Sequence, residues 1–307
     1  MVAVYLKNWG IIIGRKGITL SFNTSNRLGI GVLRETRMNI VVRIMLACGL
    51  TLSLAIAAQA SPQPSINVEQ ALAEVRAMRD IDSAAGLAQL DALYESVADT
   101  AGSDTLLAIA LEYWGLSMAR AEFAAGEARL RAALTQHRAV LAPADALRIQ
   151  VAIADLIDRQ DRSEESFEML ELLWPDIKTW VDTEPGLYGA WLVARGNIHR
   201  DRAAYDLATA DYLLALRNFE LAQDAVRQGV VFTQLAITAM RARDHASALD
   251  YYQRAEALLE AHPDSELSLS IYPNLGIVYQ ELGRIDDAVA SYQRGFALAL
   301  ELERPLV

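Results

Sequence analysis

The chain has 307 residues, of which 53% are hydrophobic, and it contains only 17 glycines and 8 prolines. This composition excludes an intrinsically disordered chain and favours a folded, mostly helical one. Seven of the 28 basic residues and one of the 39 acidic residues lie within residues 1–60, so residues 61–307 have a net charge of −17. A surface of this charge repels phosphate, which argues against nucleic acid or an anionic membrane as the partner.

Residues 1–37 are the first segment along the chain. They combine scattered glycines with short apolar runs, and no helical period is sustained. We interpret Met38 as the true start of the protein and residues 1–37 as a non-native or unstructured extension that contributes nothing to the fold. An organelle transit peptide is the alternative interpretation, because the stretch is basic and contains a single acid, Glu35.

Residues 38–60 have the three-part pattern of a secretory signal peptide. A basic residue, Arg43, precedes an apolar run that ends at Ala58, and Ala58 and Ala60 supply the small residues of a cleavage site. Small side chains at these positions let the peptidase reach an extended backbone. We therefore predict that the protein is exported and that the leader is cleaved before Ser61.

The apolar run of this leader contains 15 residues, which is shorter than the roughly 20 that a membrane-spanning helix requires. The only cysteine of the chain, Cys48, lies inside the run. Removal of the leader therefore leaves no thiol, no disulfide and no cysteine-based metal site or nucleophile. Such a chain suits an oxidising compartment, and we predict the bacterial periplasm.

After a short linker, residues 61–65, the sequence predicts only helices. Segments of about 15–20 residues carry apolar side chains at i, i+3, i+4 and i+7, and short polar turns separate them. Pro143 and Pro185 stand where helices should begin, a position that needs no backbone N–H. The pattern predicts an all-α fold of about twelve helices. These pair into six units near residues 66–100, 103–141, 143–180, 185–221, 224–261 and 267–303.

The last three units repeat with a period of 40 residues. Ala208, Ala248 and Ala288 recur at this interval, and a tyrosine follows each of them four residues later. A fixed period indicates a solenoid of stacked helix pairs. We expect the small residues to let the helices of a pair approach closely and the tyrosines to fill the space between successive pairs. The positions that define the repeat are Leu192, Gly196, Ala208, Tyr212, Ala236, Ala248, Tyr252, Leu275, Gly276, Tyr279, Ala288 and Tyr292.

These positions resemble the tetratricopeptide repeat, whose pattern places a large residue, Leu-Gly, a tyrosine, an alanine and an aromatic residue at set offsets. The units within residues 185–307 match the pattern well, and residues 66–180 are divergent helical repeats. The resemblance implies a right-handed α-solenoid of about six antiparallel helix pairs. Because the usual period of the family is about 34 residues, the longer period resembles the branch found in bacterial sensor and regulatory proteins.

The resemblance also implies a concave groove, lined by the first helix of each pair, that holds an extended or helical peptide. The implied groove positions are Asn197, Arg200, Asp201, Gln234, Arg241, Asn274 and Gln280. A solvated helix face is the alternative interpretation of this set. The family's clamp for a chaperone's C-terminal carboxylate is not implied, because Val193 stands where that clamp needs a lysine.

We find no motif of a catalytic, cofactor-binding or metal-binding site in the sequence. The four histidines fall in different units without ligand spacing, and we predict neither an enzyme nor a bound cofactor or metal. Trp174, Trp180 and Trp191 lie near the junction of the third and fourth units. We interpret them as core residues, with a ligand-binding aromatic patch as the alternative.

The sequence thus predicts a non-catalytic scaffold that binds a protein or peptide in an exported compartment. The alternative is the periplasmic sensor region of a truncated signalling protein, such as a GGDEF-type diguanylate cyclase or a histidine kinase. This alternative rests on the absence of a visible polar capping helix after the last unit. The second helix of that unit carries Ala288, Tyr292, Phe296 and Leu300, and we expect part of this surface to be exposed and to mediate self-association.

Overall fold

The computed structural model describes residues 2–6, 9–14, 17–22, 67–79, 81–260 and 267–301, which belong to two compact units divided after Ile66. In the first unit, Val2–Leu6, Trp9–Gly14 and Gly17–Phe22 form strands β1, β2 and β3 of an antiparallel sheet in that order. The sequence predicted no regular elements in residues 1–37, and the structure shows these three strands, whose valines and isoleucines favour extended backbone. The interpretation of residues 1–37 as a non-native extension stays a prediction. The predicted leader, residues 38–60, and the linker, residues 61–65, lie outside the described residues.

Over its described residues, the second unit consists of twelve α-helices and a single 3₁₀ turn at Lys178–Trp180. The helices are α1 (Val68–Met78), α2 (Ser83–Val97), α3 (Ser103–Arg120), α4 (Phe123–Gln136), α5 (Pro143–Asp158), α6 (Ser163–Ile177), α7 (Pro185–Asp201), α8 (Tyr205–Leu221), α9 (Ala225–Arg241), α10 (His245–Glu260), α11 (Leu267–Glu281) and α12 (Ile285–Glu301). They form six helix pairs, which confirms the predicted α-solenoid.

Local sequence signals account for several helix ends. Pro143 and Pro185 are the first residues of α5 and α7, as predicted. Asp82 caps α2, because its carboxylate accepts a hydrogen bond from the backbone N–H of Ala85 at 3.0 Å. Asp224 caps α9 in the same way. Each of these four helix starts thus coincides with a residue that satisfies, or lacks, a backbone N–H donor.

The turns inside the last three pairs share one backbone conformation. Ala203, Arg243 and Gly283 lie 40 residues apart and have φ angles of 59°, 62° and 71°. This left-handed conformation is easiest for glycine, yet glycine occupies only the last of the three turns. The turn geometry is therefore common to the repeats although its residues differ.

The first helices of successive pairs lie on the inner side of the array. Among the described helices, α1, α3, α5 and α7 pack against one another in sequence, whereas the second helices of successive pairs make no extensive contact with each other. The array therefore curves toward the first helices. Inner helices α7, α9 and α11 make far fewer mutual contacts than α3, α5 and α7 do. The inner face is therefore most tightly packed from α3 to α7 and wider from α7 to α11.

The core of the array continues through the junction of the third and fourth pairs. Trp191 is only 1% exposed and donates its indole N–H to the carbonyl of Leu170 at 2.9 Å. Its ring stacks on that of Trp174, with centroids 4.9 Å apart, and Trp180 also packs against this apolar cluster. These contacts support the interpretation of the three tryptophans as core residues rather than as a ligand patch.

Glycines face aromatic rings inside the fourth and sixth pairs. A Cβ added to Gly196 would lie 2.8 Å from the Tyr212 ring, and one added to Gly276 would overlap the Tyr292 ring. The prediction of a close approach within a pair fits this geometry. The rings of Tyr212 and Tyr292 each pack on the glycine of their own pair. The Tyr212 side chain also contacts Thr238 of the next pair, so this tyrosine serves packing within its pair as well as between pairs.

Candidate partner-binding inner face

Five of the seven predicted groove residues form one polar network between α7 and α9. Asn197, Arg200 and Asp201 lie in the last two turns of α7, and Gln234 and Arg241 lie on α9. Inner helices α7 and α9 have few other contacts with each other. The network therefore links two neighbouring repeats across the inner face, and we call it the α7–α9 network.

Arg200 is the centre of the α7–α9 network and is only 5% exposed. Its guanidinium donates hydrogen bonds to the Asn197 side-chain oxygen at 3.2 Å, to the Tyr212 hydroxyl at 3.3 Å and to the Gln234 side-chain oxygen. The Tyr212 hydroxyl in turn donates to Asn197 at 2.8 Å. A buried guanidinium with this many acceptors is held in one orientation.

Asp201 joins the charged ends of the network. It accepts hydrogen bonds from Arg200 at 3.2 Å and from Arg241 at 2.6 Å. Burial acts to raise the pKa of the Asp201 carboxyl, but the hydrogen bonds and attraction from Arg200 and Arg241 outweigh it and hold the pKa below its usual value. The carboxylate is therefore ionised at neutral pH, and it pairs the two repeats electrostatically.

This arrangement changes the role expected for two of the predicted residues. Asn197 and Arg200 are buried, and their polar groups bond within the chain. Arg200 is therefore positioned as an internal link to the next repeat, and Asn197 supports it within the fourth pair, so neither is a solvated groove contact. Arg241 and Asp201 remain more than one-third exposed, so this end of the network borders the inner surface.

Asn274 and Gln280 lie apart from the network, on α11. The Asn274 amide donates to the carbonyl of Ser270 at 2.8 Å, and the side-chain oxygen of Gln280 accepts from the Tyr292 hydroxyl at 2.9 Å. Gln280 is exposed, and Asn274 is partly exposed. Both amides thus lie at the widened part of the inner face.

Two apolar residues of this surface were missed by the sequence reasoning. Ile277, on α11, is 43% exposed, and Ile237, on α9, is partly buried. They lie 40 residues apart and share their repeat position with Asn197. The 40-residue period was the signal that could have identified them, because Asn197 had already been placed in the groove.

The α5 end of the inner face carries a second group of buried acids. Asp155 accepts a hydrogen bond from the indole N–H of Trp114 at 2.9 Å, and Asp158 accepts one from the Ser163 hydroxyl at 2.5 Å. Burial raises the pKa of Asp158; the bond from Ser163 opposes this shift, and the nearby charge of Asp201 adds to it. This part of the inner face is therefore tightly packed around buried carboxyl groups.

Within the described part of the chain, no three histidine, cysteine, aspartate or glutamate side chains cluster closely enough to hold a metal ion. None of the helices in that part is long and apolar enough to span a membrane. Chemically, the inner face offers amide, guanidinium and carboxylate groups around aliphatic side chains. Such a set suits recognition of a polypeptide.

The curved array of helix pairs defines an α-solenoid repeat protein. The tetratricopeptide repeat profile matches residues 227–301, which run from the first turn of α9 to the end of α12. Residues 227–301 therefore carry tetratricopeptide repeats, as the sequence resemblance of residues 185–307 predicted. No curated protein matches the chain by sequence.

Solved structures share the fold at low sequence identity. A Rap protein complexed with Competence and Sporulation Factor matches with a TM-score of 0.61 and 15% identity, over 84% of this chain and 72% of that one. NprR in complex with its cognate peptide NprX matches with a TM-score of 0.53 and 13% identity, over 87% and 78% of the two chains. BtubC from P. vanneervenii matches with a TM-score of 0.50 and 21% identity, over 78% and 93%. At these identities the likeness shows the fold alone.

Proposed function

We propose that the protein is a non-catalytic scaffold that binds an extended peptide, or an extended segment of a partner protein, on the inner face of α7, α9 and α11. The observation that carries this proposal is the composition of the widened inner face. Ile237 and Ile277 provide apolar contact there, and Asn274, Gln280 and Arg241 provide polar groups beside them.

The chemistry of this surface matches that of an extended peptide. Side-chain amides such as those of Asn274 and Gln280 can both donate to peptide carbonyls and accept from peptide N–H groups. An aliphatic side chain such as Ile277 gains free energy when it is covered by an apolar side chain of the ligand. The exposed edge of Arg241 favours a ligand carboxylate or carbonyl.

The solved structures support the proposal by analogy. NprR shares the solenoid fold and binds its cognate peptide NprX, and the Rap protein was solved with Competence and Sporulation Factor. The protein's own ligand is a prediction that rests on the inner-face side chains. No catalytic role is proposed for any of them.

Selection of linear peptides from a random library against the full chain tests the proposal. We expect the selected peptides to lose about ten-fold or more in affinity when Ile277→Glu and Gln280→Ala are combined, because a charge then replaces the apolar contact. The matched control is Gln253→Ala on α10, an exposed residue of an outer helix, and it should leave affinity unchanged. If the control variant binds the selected peptides more weakly and the inner-face variant binds them normally, the binding site does not lie on the inner face.

We further propose that the scaffold works outside the cytoplasm, in the periplasm, after cleavage before Ser61. The motif of Ala58 and Ala60 is the support for this location. N-terminal sequencing of the protein expressed from Met38 in a bacterial host should return Ser61 as the first residue. A retained leader would instead favour a membrane-anchored protein. The sensor alternative, with a cytoplasmic output domain, is tested by the reading frame that follows Val307.

A second surface, on α12, favours self-association. Ile285, Val289, Phe296 and Leu300 are 49–64% exposed along this helix, whereas Ala288 packs inward and is 1% exposed. Forty residues before Val289, the matching Leu249 of α10 packs against the core formed with the next pair. Val289 thus occupies a repeat position that, in the preceding pair, packs against a core shared with the neighbouring repeat.

We predict that the full chain self-associates through this face of α12, because burying its four apolar side chains removes them from water. Sedimentation velocity over a range of concentrations should show a dimer that Phe296→Gln with Leu300→Gln converts to a monomer. Gln253→Ala should leave the dimer intact. A wild-type chain that stays monomeric at the highest concentrations would contradict the prediction.

A further inference from the structure

A row of leucines follows the outer side of α8. Leu207, Leu214 and Leu221 are 56%, 38% and 68% exposed, and their spacing of seven residues places them along one side of the helix. Scattered exposed leucines need no explanation, but three exposed leucines aligned along one side of a solvated helix are uncommon. We call these three residues the leucine row.

The matching positions of the next repeat are polar. Forty residues after Leu207 and Leu214, the outer side of α10 carries Ser247 and Arg254. These residues show that the repeat does not require leucine at either position for its own packing. The leucine row is therefore a property of α8 and not of the repeat pattern.

A row of glutamates lies on α6, the second helix of the preceding pair. Glu164, Glu168 and Glu171 are exposed and follow one another at intervals of four and three residues, so they share one side of that helix. Both ends of this row reach toward α7. Arg202 pairs with Glu164 at 2.8 Å, and Arg195 approaches Glu171 at 4.0 Å.

Helix α7 forms the floor between the two rows. Arg195, which approaches Glu171 of α6, also binds Asp211 of α8 through two hydrogen bonds of 2.6 and 2.9 Å. Asp211 lies four residues after Leu207 and three before Leu214, so it borders the leucine row. The surface is thus a groove with an acidic wall on α6 and an apolar wall on α8, which we call the α6–α8 groove.

We propose that the α6–α8 groove docks an amphipathic helix of another polypeptide that has one apolar side and one basic side. Apolar side chains at intervals of seven residues are what a partner helix meets along its seam. Lysine or arginine beside that seam would face the glutamate row. This site is on the outer surface and goes beyond the inner-face peptide site.

A second copy of the chain is a poorer occupant of the groove. The exposed outer face of α8 carries Asp206 and Glu220 against one base, Arg217, and α6 is acidic along the same surface. Two copies that pair through this surface would therefore bring like charges together, which is unfavourable. A basic helix has the complementary charge.

Binding of two labelled synthetic helices to the full chain tests the proposal. Both are about 20 residues long, enough to span one helix of the array, with leucines along one side. One carries lysines beside the leucines and the other carries glutamates. We expect the lysine peptide to bind about ten-fold or more tightly than the glutamate peptide, and the difference to shrink at high salt.

Variants of the chain then locate the site. Leu207→Ser with Leu214→Gln should weaken the lysine peptide about ten-fold, and Glu164→Gln with Glu168→Gln should reduce its salt dependence. Ile81→Ser, which removes an exposed apolar side chain of the first pair, is the control and should have no effect. Circular dichroism and thermal melts should show that every variant keeps the fold.

Three outcomes would overturn the proposal. Equal affinity for both peptides would show that the charge of the partner helix does not determine binding. Unchanged affinity of the leucine-row variant for the lysine peptide would show that the peptide binds at another site. Loss of a wild-type dimer in that variant would identify a second copy as the occupant. The inner-face variant Ile277→Glu with Gln280→Ala should leave binding of the lysine peptide intact. The groove proposal can therefore be disproved without disproving the inner-face proposal, and the reverse also holds.

Discussion

Replacement of Arg200 by methionine is expected to destabilise the array by roughly 3 kcal/mol, because it leaves the buried partners of a charged network without their donor. The Asn197 and Gln234 side-chain oxygens and the Tyr212 hydroxyl would each lose a hydrogen bond. Asp201 would keep only its contact with Arg241. Methionine has a similar length and fills much of the same space, so the loss reports the polar contacts rather than a cavity.

The loss should be largest near neutral pH. The pKa of Asp201 lies below its usual value in the folded chain, so the stability that it contributes is present above the unfolded pKa of about 4. That contribution disappears as the pH falls through the lower folded value. The difference between the wild type and Arg200→Met should therefore be smaller at pH 3 than at pH 7.

Urea unfolding at both pH values, combined with hydrogen exchange of α7 and α9, measures this effect. Arg254→Met is the matched control, because Arg254 is 58% exposed and pairs with Asp250 on the solvated side of α10. An exposed pair of this kind contributes about 0.5 kcal/mol or less. Equal losses for the two variants, or a loss for Arg200→Met that does not depend on pH, would show that the network does not couple the repeats.

Gly276→Leu is expected to destabilise the last pair by about 3 kcal/mol, at the upper end of typical overpacking costs. A Cβ at position 276 would overlap the ring of Tyr292, so the ring and the helix that carries it must move. The hydrogen bond from the Tyr292 hydroxyl to Gln280 would be strained by the same movement. Because repeats contact only their neighbours, we expect the loss to concentrate in α11 and α12.

Thermal melts and hydrogen exchange test this prediction, and two single glycine-to-alanine variants are compared as controls. Gly276→Ala should lower the stability, whereas Gly186→Ala should keep or raise it, because a Cβ at Gly186 has no neighbour closer than 3.8 Å. Alanine at Gly186 also removes the entropic cost of glycine in a helix, about 1 kcal/mol. An unchanged melting midpoint for Gly276→Leu would mean that α11 and α12 do not cross at this residue.

The α-solenoid and its division into pairs could be predicted from the sequence because they depend on local signals. The apolar period of each helix, the prolines at the starts of α5 and α7 and the 40-residue recurrence of Ala208, Ala248 and Ala288 all act over short distances. The strands at residues 2–22 were missed because their short apolar runs carry little periodicity.

Only the tertiary structure decided what each candidate residue does. Arg200 and Ile277 both occupy groove positions of the repeat, yet one is buried in a network and the other is exposed. The difference depends on the spacing of inner helices from different repeats, and the pattern of a single helix does not contain that spacing. Likewise, the sequence of α8 alone does not distinguish the leucine row from ordinary exposed leucines. The groove is recognised only when α6 and its glutamates are placed beside α8 in the structure. Sequence period determined the fold because helices form from local contacts, and the sites depended on packing because they combine side chains from separate repeats.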